Sequence, residues 1–409
     1  MRKAYILDSA RSPIGKFLGS LYEKDALDVS KQVLGHLLAS PLIDKNSFEE
    51  VIVGNVISAG LGQGFARKIA INSGVPITIP AYSLNMVCGS GMQAIINGVK
   101  NIRISAGGGG KEELCGGVEF MSNIPFATNT YLRLGKKFGD FAMMDLMTHD
   151  GLIDSFSGVH MGITAENIAH DLNISREEQD DYSWLSLQRA IKAVDSGVFQ
   201  EEIVPIELKD YKGRSFTFDQ DEFPNRTSTR EKMASLSPTF LKDGTGTVTA
   251  ASSSGINDGV AFVSLGSEEY CKEHQINPQI EIVDYATIGC DPQKMGLGPF
   301  YAIRKLLDAN KLKLTDIDIL EINEAFAAQV LGCYKLLGQE YGVSLAWLED
   351  HCNVNGSGLG LGHPLGCTGA RITVTLEHYM RHHDVTYGIA SLCIGGGMGA
   401  ALLLRKVSD

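Results

Sequence analysis

Leu84-Asn85-Met86-Val87-Cys88-Gly89-Ser90-Gly91-Met92-Gln93-Ala94-Ile95 reads as a strand that breaks at small residues and restarts as an apolar-periodic helix. That places a thiol at a helix N-terminus, where unpaired amides and the positive end of the helix dipole favour thiolate over thiol. A second glycine-rich turn, Ser391-Leu392-Cys393-Ile394-Gly395-Gly396-Gly397-Met398-Gly399, presents another cysteine far downstream. Between them, Gly362-His363-Pro364-Leu365-Gly366 offers an imidazole on a tight loop. Two thiols and a base on such turns outline a nucleophilic site.

Outward from these turns, the chain aligns with itself. Leu114-Cys115-Gly116-Gly117 matches Leu392-Cys393-Ile394-Gly395, and Ser90-Gly91 matches Thr368-Gly369. Ala4-Tyr5-Ile6-Leu7-Asp8-Ser9-Ala10 pairs with Ile280-Glu281-Ile282-Val283-Asp284-Tyr285-Ala286, and Glu50-Val51-Ile52-Val53-Gly54-Asn55 with Asp318-Ile319-Leu320-Glu321-Ile322-Asn323. Strands alternating with helical patterns in a duplicated unit point to α/β layers, sheets covered by helices. The stretch from Phe120 to Gly246 has no counterpart and reads as an insertion. The expected division is 1–119 plus 247–270, an inserted loop domain at 120–246, and a second core half at 271–409. Within the insertion, Ser175 and Glu178 form a capping box, and Trp184, Leu187, Ile191 and Val194 an apolar stripe for core packing. Apolar spacing also predicts helices over Phe65 to Asn72 and Leu27 to Leu38.

With 409 residues the chain exceeds what one hydrophobic core serves. Its 36 basic and 48 acidic side chains leave a net charge of -12, which argues against a general nucleic-acid surface. Eight cysteines include no C-x-x-C pair, so neither a zinc ribbon nor a thioredoxin motif is supported, and a reducing cytoplasm suits them. The opening residues reach Asp8 before any signal-length apolar run, and the chain carries no membrane-spanning run and no C-terminal address. Gly107 to Gly110 lacks the Lys-Ser/Thr of a phosphate loop and is expected to end a helix. His382 and His383 sit at an exposed-looking helix end, where solvation is the expected role.

Six blocks in order resemble the thiolase family from end to end. They are Asn85 to Gly91, Val159-His160-Met161-Gly162-Ile163-Thr164-Ala165-Glu166-Asn167, Gly246-Thr247-Val248-Thr249-Ala250, Asn323-Glu324-Ala325-Phe326, Gly362 to Gly366 and Cys393 to Gly399. The resemblance implies a duplicated five-layered α/β/α/β/α core with an inserted loop domain. It also implies a reversible Claisen condensation of two acetyl-CoA into acetoacetyl-CoA and CoA, through an acetyl-Cys88 intermediate. That is the acetyl-CoA acetyltransferase branch; a longer-chain 3-ketoacyl-CoA thiolase is the alternative, and a non-catalytic acyl-CoA binder a further one.

By this resemblance Cys88 is the nucleophile, His363 its base, and Cys393 the second acid/base. Asn323 positions a water for one oxyanion site, although by position alone it also reads as a helix N-cap. Gly395, in a run that lets amides approach a ligand, contributes to the other oxyanion site with the Cys88 amide. Leu152, His160, Met161, Phe240, Ala250, Ser254, Met295, Ala325 and Phe326 are the implied pantetheine or acyl contacts. Arg226, Arg230 or Lys232 would meet the nucleotide. Neither metal nor cofactor is implied, coenzyme A thioesters being the substrates. The segment Tyr131 to Asp145 is expected to pack on another subunit of a dimer or tetramer.

Overall fold

The computed structural model describes residues 2–104, 111–128 and 130–407; Gly107 to Gly110 lie outside them. The main sheet joins both halves of the repeat. In the first half, Ala4–Arg11 pairs antiparallel with Asn257–Ser267, which pairs antiparallel with Glu112–Phe120. Phe48–Gly54 follows in parallel, then Ala81–Leu84 at the edge. The second half repeats the pattern: Ile280–Gly289 with Met398–Lys406 and Tyr387–Ile394 antiparallel, then Ile319–Ile322 parallel.

The halves meet where Ala4, Tyr5 and Ile6 pair with Ile282, Glu281 and Ile280. That register is two-fold symmetric about Tyr5 and Glu281, as expected when equivalent strands of a duplicated unit meet. Even the irregularities agree, with a register shift between Ile6 and Asp8 and another between Ile282 and Asp284.

Helices Ser90–Ile104 and Leu365–His382 lie side by side between the two sheet halves. Nearly every side chain of Leu365–His382 is buried, as befits a helix covered on all faces. Ala26–Leu37 and Phe65–Asn72 cover the outer face of the first half and Gly298–Asn310 that of the second, completing five layers. The helix expected from Leu27 starts at Ala26 because Asp25 caps it, accepting the Leu27 amide.

The two central helices touch through glycine. A Cβ on Gly369 would stand 2.4 Å from the Met92 nitrogen, and one on Gly91 would stand 2.8 Å from the Ala370 nitrogen and 2.9 Å from the Gly366 carbonyl. Backbone is packed against backbone there, so each helix fixes the height of the other.

Between Phe120 and Asn257 the chain leaves the sheet. It forms helices Met161–Asp171 and Arg176–Asp195, the hairpins Phe126–Thr128 with Met143–Asp145 and Ile206–Lys209 with Ser215–Phe218, and the short helix Arg230–Ala234. Ser175 and Glu178 make both bonds of the capping box. The buried face is rotated from the expected stripe. Tyr182, Ser183, Ser186, Leu187, Ala190 and Ala193 are buried, while Trp184, Ile191 and Val194 are half-buried. Small residues win that face because Gly356 and Gly360 press against Ser186 and Ala190. Fully buried Arg11 ties this region down, donating to Glu202 at 2.6 Å and to both oxygens of Asp221 at 2.7 and 2.9 Å.

Gly369→Ala tests the central crossing. Its methyl meets backbone that cannot swing aside, so thermal or urea unfolding should reveal a loss of about 1–3 kcal/mol. Unchanged stability would mean that the crossing is loose.

Candidate active site

Cys88 sits on the turn between Ala81–Leu84 and Ser90–Ile104. The turn is self-bonded: Asn85 Oδ1 accepts the Val87 amide at 2.9 Å, and Ser90 Oγ accepts the Met86 amide at 2.9 Å and donates to the Val87 carbonyl at 2.7 Å. These bonds hold Val87 at φ 47, a left-handed conformation strained for a β-branched residue. The next residue therefore turns back toward the sheet. Gly89 lies on Ile394, where a Cβ would come within 2.4 Å of Cδ1, and Gly395 packs on Val87 and Met161. The Gly395 amide faces the Cys88 thiol, and Cys393 is near enough for the two sulfurs to interact. The Cys88 turn and the strand end that carries Cys393 thus lie against each other.

His363 arrives on a loop whose shape other residues set. Asn257 Oδ1 accepts the His363 amide at 2.9 Å, and Gly362, at φ 107, leaves room for the Asn257 side chain. Buried Glu119 accepts the amides of Val56, Ile57 and Gly366 at 2.9, 3.2 and 3.0 Å, locking the loop to the first half of the core. Thr368 Oγ1 donates to the Pro364 carbonyl at 2.8 Å, so toward His363 Nδ1, 2.6 Å away, it accepts. The ring proton is thereby assigned to Nδ1, and Nε2 keeps the lone pair of a base.

Asn323 is fully buried, its Nδ2 standing 3.5 Å from both His363 ring nitrogens. Its Oδ1 has no hydrogen-bond partner, an open acceptor of the kind that holds a water. The alternative of a helix cap fails: the next helix starts at Ala327, and Gln329 Oε1 accepts the Ala325 amide at 3.0 Å. Glu324 gathers five donors instead, from Tyr182, Ser186, Asn353 and the amides of Ser357 and Leu359, fastening the Asn323 turn to its neighbours.

Burial overrides the helix-start effect on the thiol. It pushes Cys88 up to about 11, the Gly395 amide opposing the rise and Glu119 adding to it. Burial also raises Cys393 well above the ordinary thiol range, and neighbouring Cys88 adds to this. His363 is pushed down to about 3, by burial first and then by the Arg371 guanidinium. Arg371 is itself buried, donating to Glu321 at 3.1 Å and Ser357 at 3.0 Å. The expectation of a standing thiolate is therefore corrected: the free site holds a neutral thiol and a neutral imidazole.

The remaining residues fall into three places. His160 caps helix Met161–Asp171, accepting the Gly162 amide at 3.1 Å, and stacks on Phe240 with centroids 4.7 Å apart; Phe326 meets Phe240 edge-on at 6.1 Å. Met161, Met295, Ala325, Phe326 and Cys393 belong to one apolar cluster, with Phe240 against it, while Leu152 packs on the cluster that holds Cys88. Outside lies a cleft of about 1220 Å³ that includes Ala250, Arg226 and Lys232. Ser253 lines it rather than Ser254, whose amide donates to the Ala325 carbonyl at 2.9 Å. Arg226 is paired with Asp195 at 2.7 Å; Arg230 pairs with Asp181 and Glu177 and does not line the cleft. Sequence reasoning missed Glu119, Asn257, Thr368 and Arg371, which touch the site through His363 and its loop.

Because both shifts disfavour the charged pair, the thiolate fraction of free Cys88 at neutral pH is only about 10⁻⁴. Alkylation of Cys88 by iodoacetamide in the free protein should climb about ten-fold per pH unit from about pH 7 to about pH 10. A plateau reached by about pH 8 would contradict the neutral pair.

The model of the thiolase N-terminal domain matches residues 4–269, and that of the thiolase C-terminal domain residues 276–406. The acetyl-CoA acetyltransferase of Escherichia coli strain K12 is 40% identical over 408 residues, covering 100% of both chains. The solved acetyl-CoA acetyltransferase of Syntrophomonas wolfei superposes with a TM-score of 0.93 at 38% identity over 100% of each chain. A thiolase of Ascaris suum solved in complex with coenzyme A gives 0.89 at 36% identity, over 99% of this chain and 100% of the other. This chain belongs to the thiolase family.

Proposed function

We propose that this thiolase is an acetyl-CoA acetyltransferase, joining two acetyl-CoA into acetoacetyl-CoA and CoA and catalysing thiolysis on the same groups in reverse. The observation that carries the reading is the close approach of the Cys88 thiol to the Gly395 amide and to Cys393, with the Cys88 turn packed on Ile394 and Gly395. Relatives named acetyl-CoA acetyltransferase over the full chain support it.

In the first half-reaction, Cys88 attacks the thioester carbonyl as its proton passes to His363 Nε2. The amides of Cys88 and Gly395 receive the developing oxyanion, an interaction worth about 10²–10³ in rate for each such donor. Coenzyme A leaves with the proton of Cys393, which becomes a thiolate beside the new acetyl-Cys88. In the second, that thiolate takes a proton from the methyl group of another acetyl-CoA. The enolate oxygen is held by protonated His363 and a water on Asn323, and its carbon attacks the acyl-enzyme. Collapse of the adduct returns the His363 proton to Cys88. Splitting the reaction at a covalent thioester replaces one high barrier with two lower ones.

Coenzyme A occupies the cleft, with Arg226 and Lys232 toward its phosphates. The Ascaris suum relative, solved with coenzyme A, supports that class of ligand. The exposed side chains of Leu134, Phe138, Phe141 and Met143 support a dimer or tetramer. Among the described residues no helix is long and apolar enough to cross a membrane, and eight unpaired cysteines favour a reducing cytoplasm.

Cys88→Ala should abolish condensation and thiolysis while coenzyme A still binds by calorimetry. Cys393→Ala should differ: mass spectrometry should find acetyl-Cys88 accumulating after incubation with acetyl-CoA, with no acetoacetyl-CoA formed. Formation of acetoacetyl-CoA by the Cys393 variant would remove it from the second step.

The aromatic packing of His160, Phe240 and Phe326 narrows the acyl end, favouring the short substrate. We expect kcat/KM on acetoacetyl-CoA to exceed that on a medium-chain 3-ketoacyl-CoA by about ten-fold or more. Preference for the longer substrate would instead make this a 3-ketoacyl-CoA thiolase of fatty-acid breakdown.

A further inference from the structure

Helix Leu365–His382 starts beside the candidate site and ends about 26 Å away. His378 and His382 stand one turn apart at that far end and share a face of the helix. Glu201, in the segment after helix Arg176–Asp195, meets them there: one ligand atom from each of Glu201, His378 and His382 lies within 4.8 Å of the other two. His382 Nε2 is 2.8 Å from a Glu201 carboxylate oxygen, and both side chains are exposed.

His378 is different. It is buried, and its Nε2 lies 3.2 Å from the Ser9 carbonyl and 3.3 Å from the Glu377 carboxylate. Both are acceptors, so Nε2 carries the ring proton and donates. Nδ1 is left with a bare lone pair, buried and without a hydrogen-bond partner. A histidine held through one N–H by a carbonyl or carboxylate, with the other nitrogen free, is oriented as metal-bound histidines are. Arg381, on the same turn of the helix, has its charge met by Glu377 at 2.6 Å.

We propose that Glu201, His378 and His382 form a binding site for a divalent cation of the zinc class. Two imidazoles and one carboxylate are donors that suit such an ion and not magnesium, which requires an oxygen cage. Three protein ligands leave a position for water. Rotation of the exposed His382 and Glu201 side chains closes the ligand atoms around the ion, while His378 stays fixed. A bound ion would staple the end of the central helix to the segment whose next residue, Glu202, anchors Arg11. The site is independent of the proposed catalysis, being remote from Cys88.

The test uses the full-length protein, stripped by chelator, with its reactive thiols blocked by iodoacetamide so that cysteine cannot capture metal. Calorimetric titration with zinc chloride should give one ion per chain and a raised thermal midpoint, and magnesium chloride should give neither. Cobalt(II) bound at the site should lack a thiolate charge-transfer band. His382→Ala and Glu201→Gln should each weaken zinc binding about ten-fold or more, with metal-free melting and the thiolysis rate of unblocked protein unchanged. Equal zinc affinity in the wild type and both variants, absence of zinc binding, or a cobalt spectrum dominated by thiolate would overturn the proposal.

Discussion

Backbone contact between the two central helices sets the geometry of this molecule. Gly91 against Gly366 and Ala370, and Gly369 against Met92, allow no side chain between them. Close packing makes such a crossing a fixed distance instead of an adjustable one. The Cys88 turn feeds one helix and the His363 loop feeds the other. Their separation is therefore decided by the crossing, before any polar contact forms. Glu119 and Asn257 then refine the loop with hydrogen bonds to its amides.

The same packing determines the electrostatics. A thiol two residues before a helix gains from the dipole, but that gain is about 0.3–1 kcal/mol at an exposed site. Burial acts in the opposite direction and is larger, because it withdraws water from the whole thiolate. The resting pair is therefore neutral. Arg371 favours the same outcome by discouraging a second positive charge at His363. Thr368 contributes by holding the ring proton on Nδ1. A site arranged in this way stores little charge at rest, and its polar groups are aimed at charge that appears during reaction.

Residues whose local pattern carries their meaning were legible in the sequence. Cys88 and His363 stand on turns that small residues announce, Cys393 stands in a strand beside a glycine turn, and the repeat is visible in strands such as Ile319 to Ile322. The supporting polar residues were not. Glu119 sits in a strand buried along its whole length, where alternation gives no hint of a carboxylate facing amides. Asn257 and Thr368 act on His363 from elsewhere in the fold or from within a helix, so no spacing singles them out. The face of Arg176–Asp195 was misjudged because bulk was taken as the sign of burial, whereas Ser186 and Ala190 are buried for being small. The thiol's protonation was misjudged for a related reason: solvent exclusion belongs to the assembled core and leaves no mark on a twelve-residue window.

Duplication also explains how unlike side chains come to stand on related elements. Cys88 lies two residues before Ser90–Ile104, and His363 lies two residues before Leu365–His382, each on the approach to the central helix of its own half. Even the edge strand Ala81–Leu84 has a remnant in the second half, where Cys352 bridges in parallel to Leu320. Symmetry thus places a reactive side chain on the approach to each central helix. The asymmetry comes from the next connection. In the second half Tyr387–Ile394 returns to Met398–Lys406 by a short glycine turn at Gly395 to Gly397, with Cys393 in the strand just before it. In the first half the equivalent connection, from Phe120 to Asn257, is the long excursion that supplies His160, Met161 and Phe240. A second thiol and the stacked rings of His160 and Phe240 therefore occupy related connections on a symmetric frame. The frame fixes where groups converge, and the unequal connections decide what converges there.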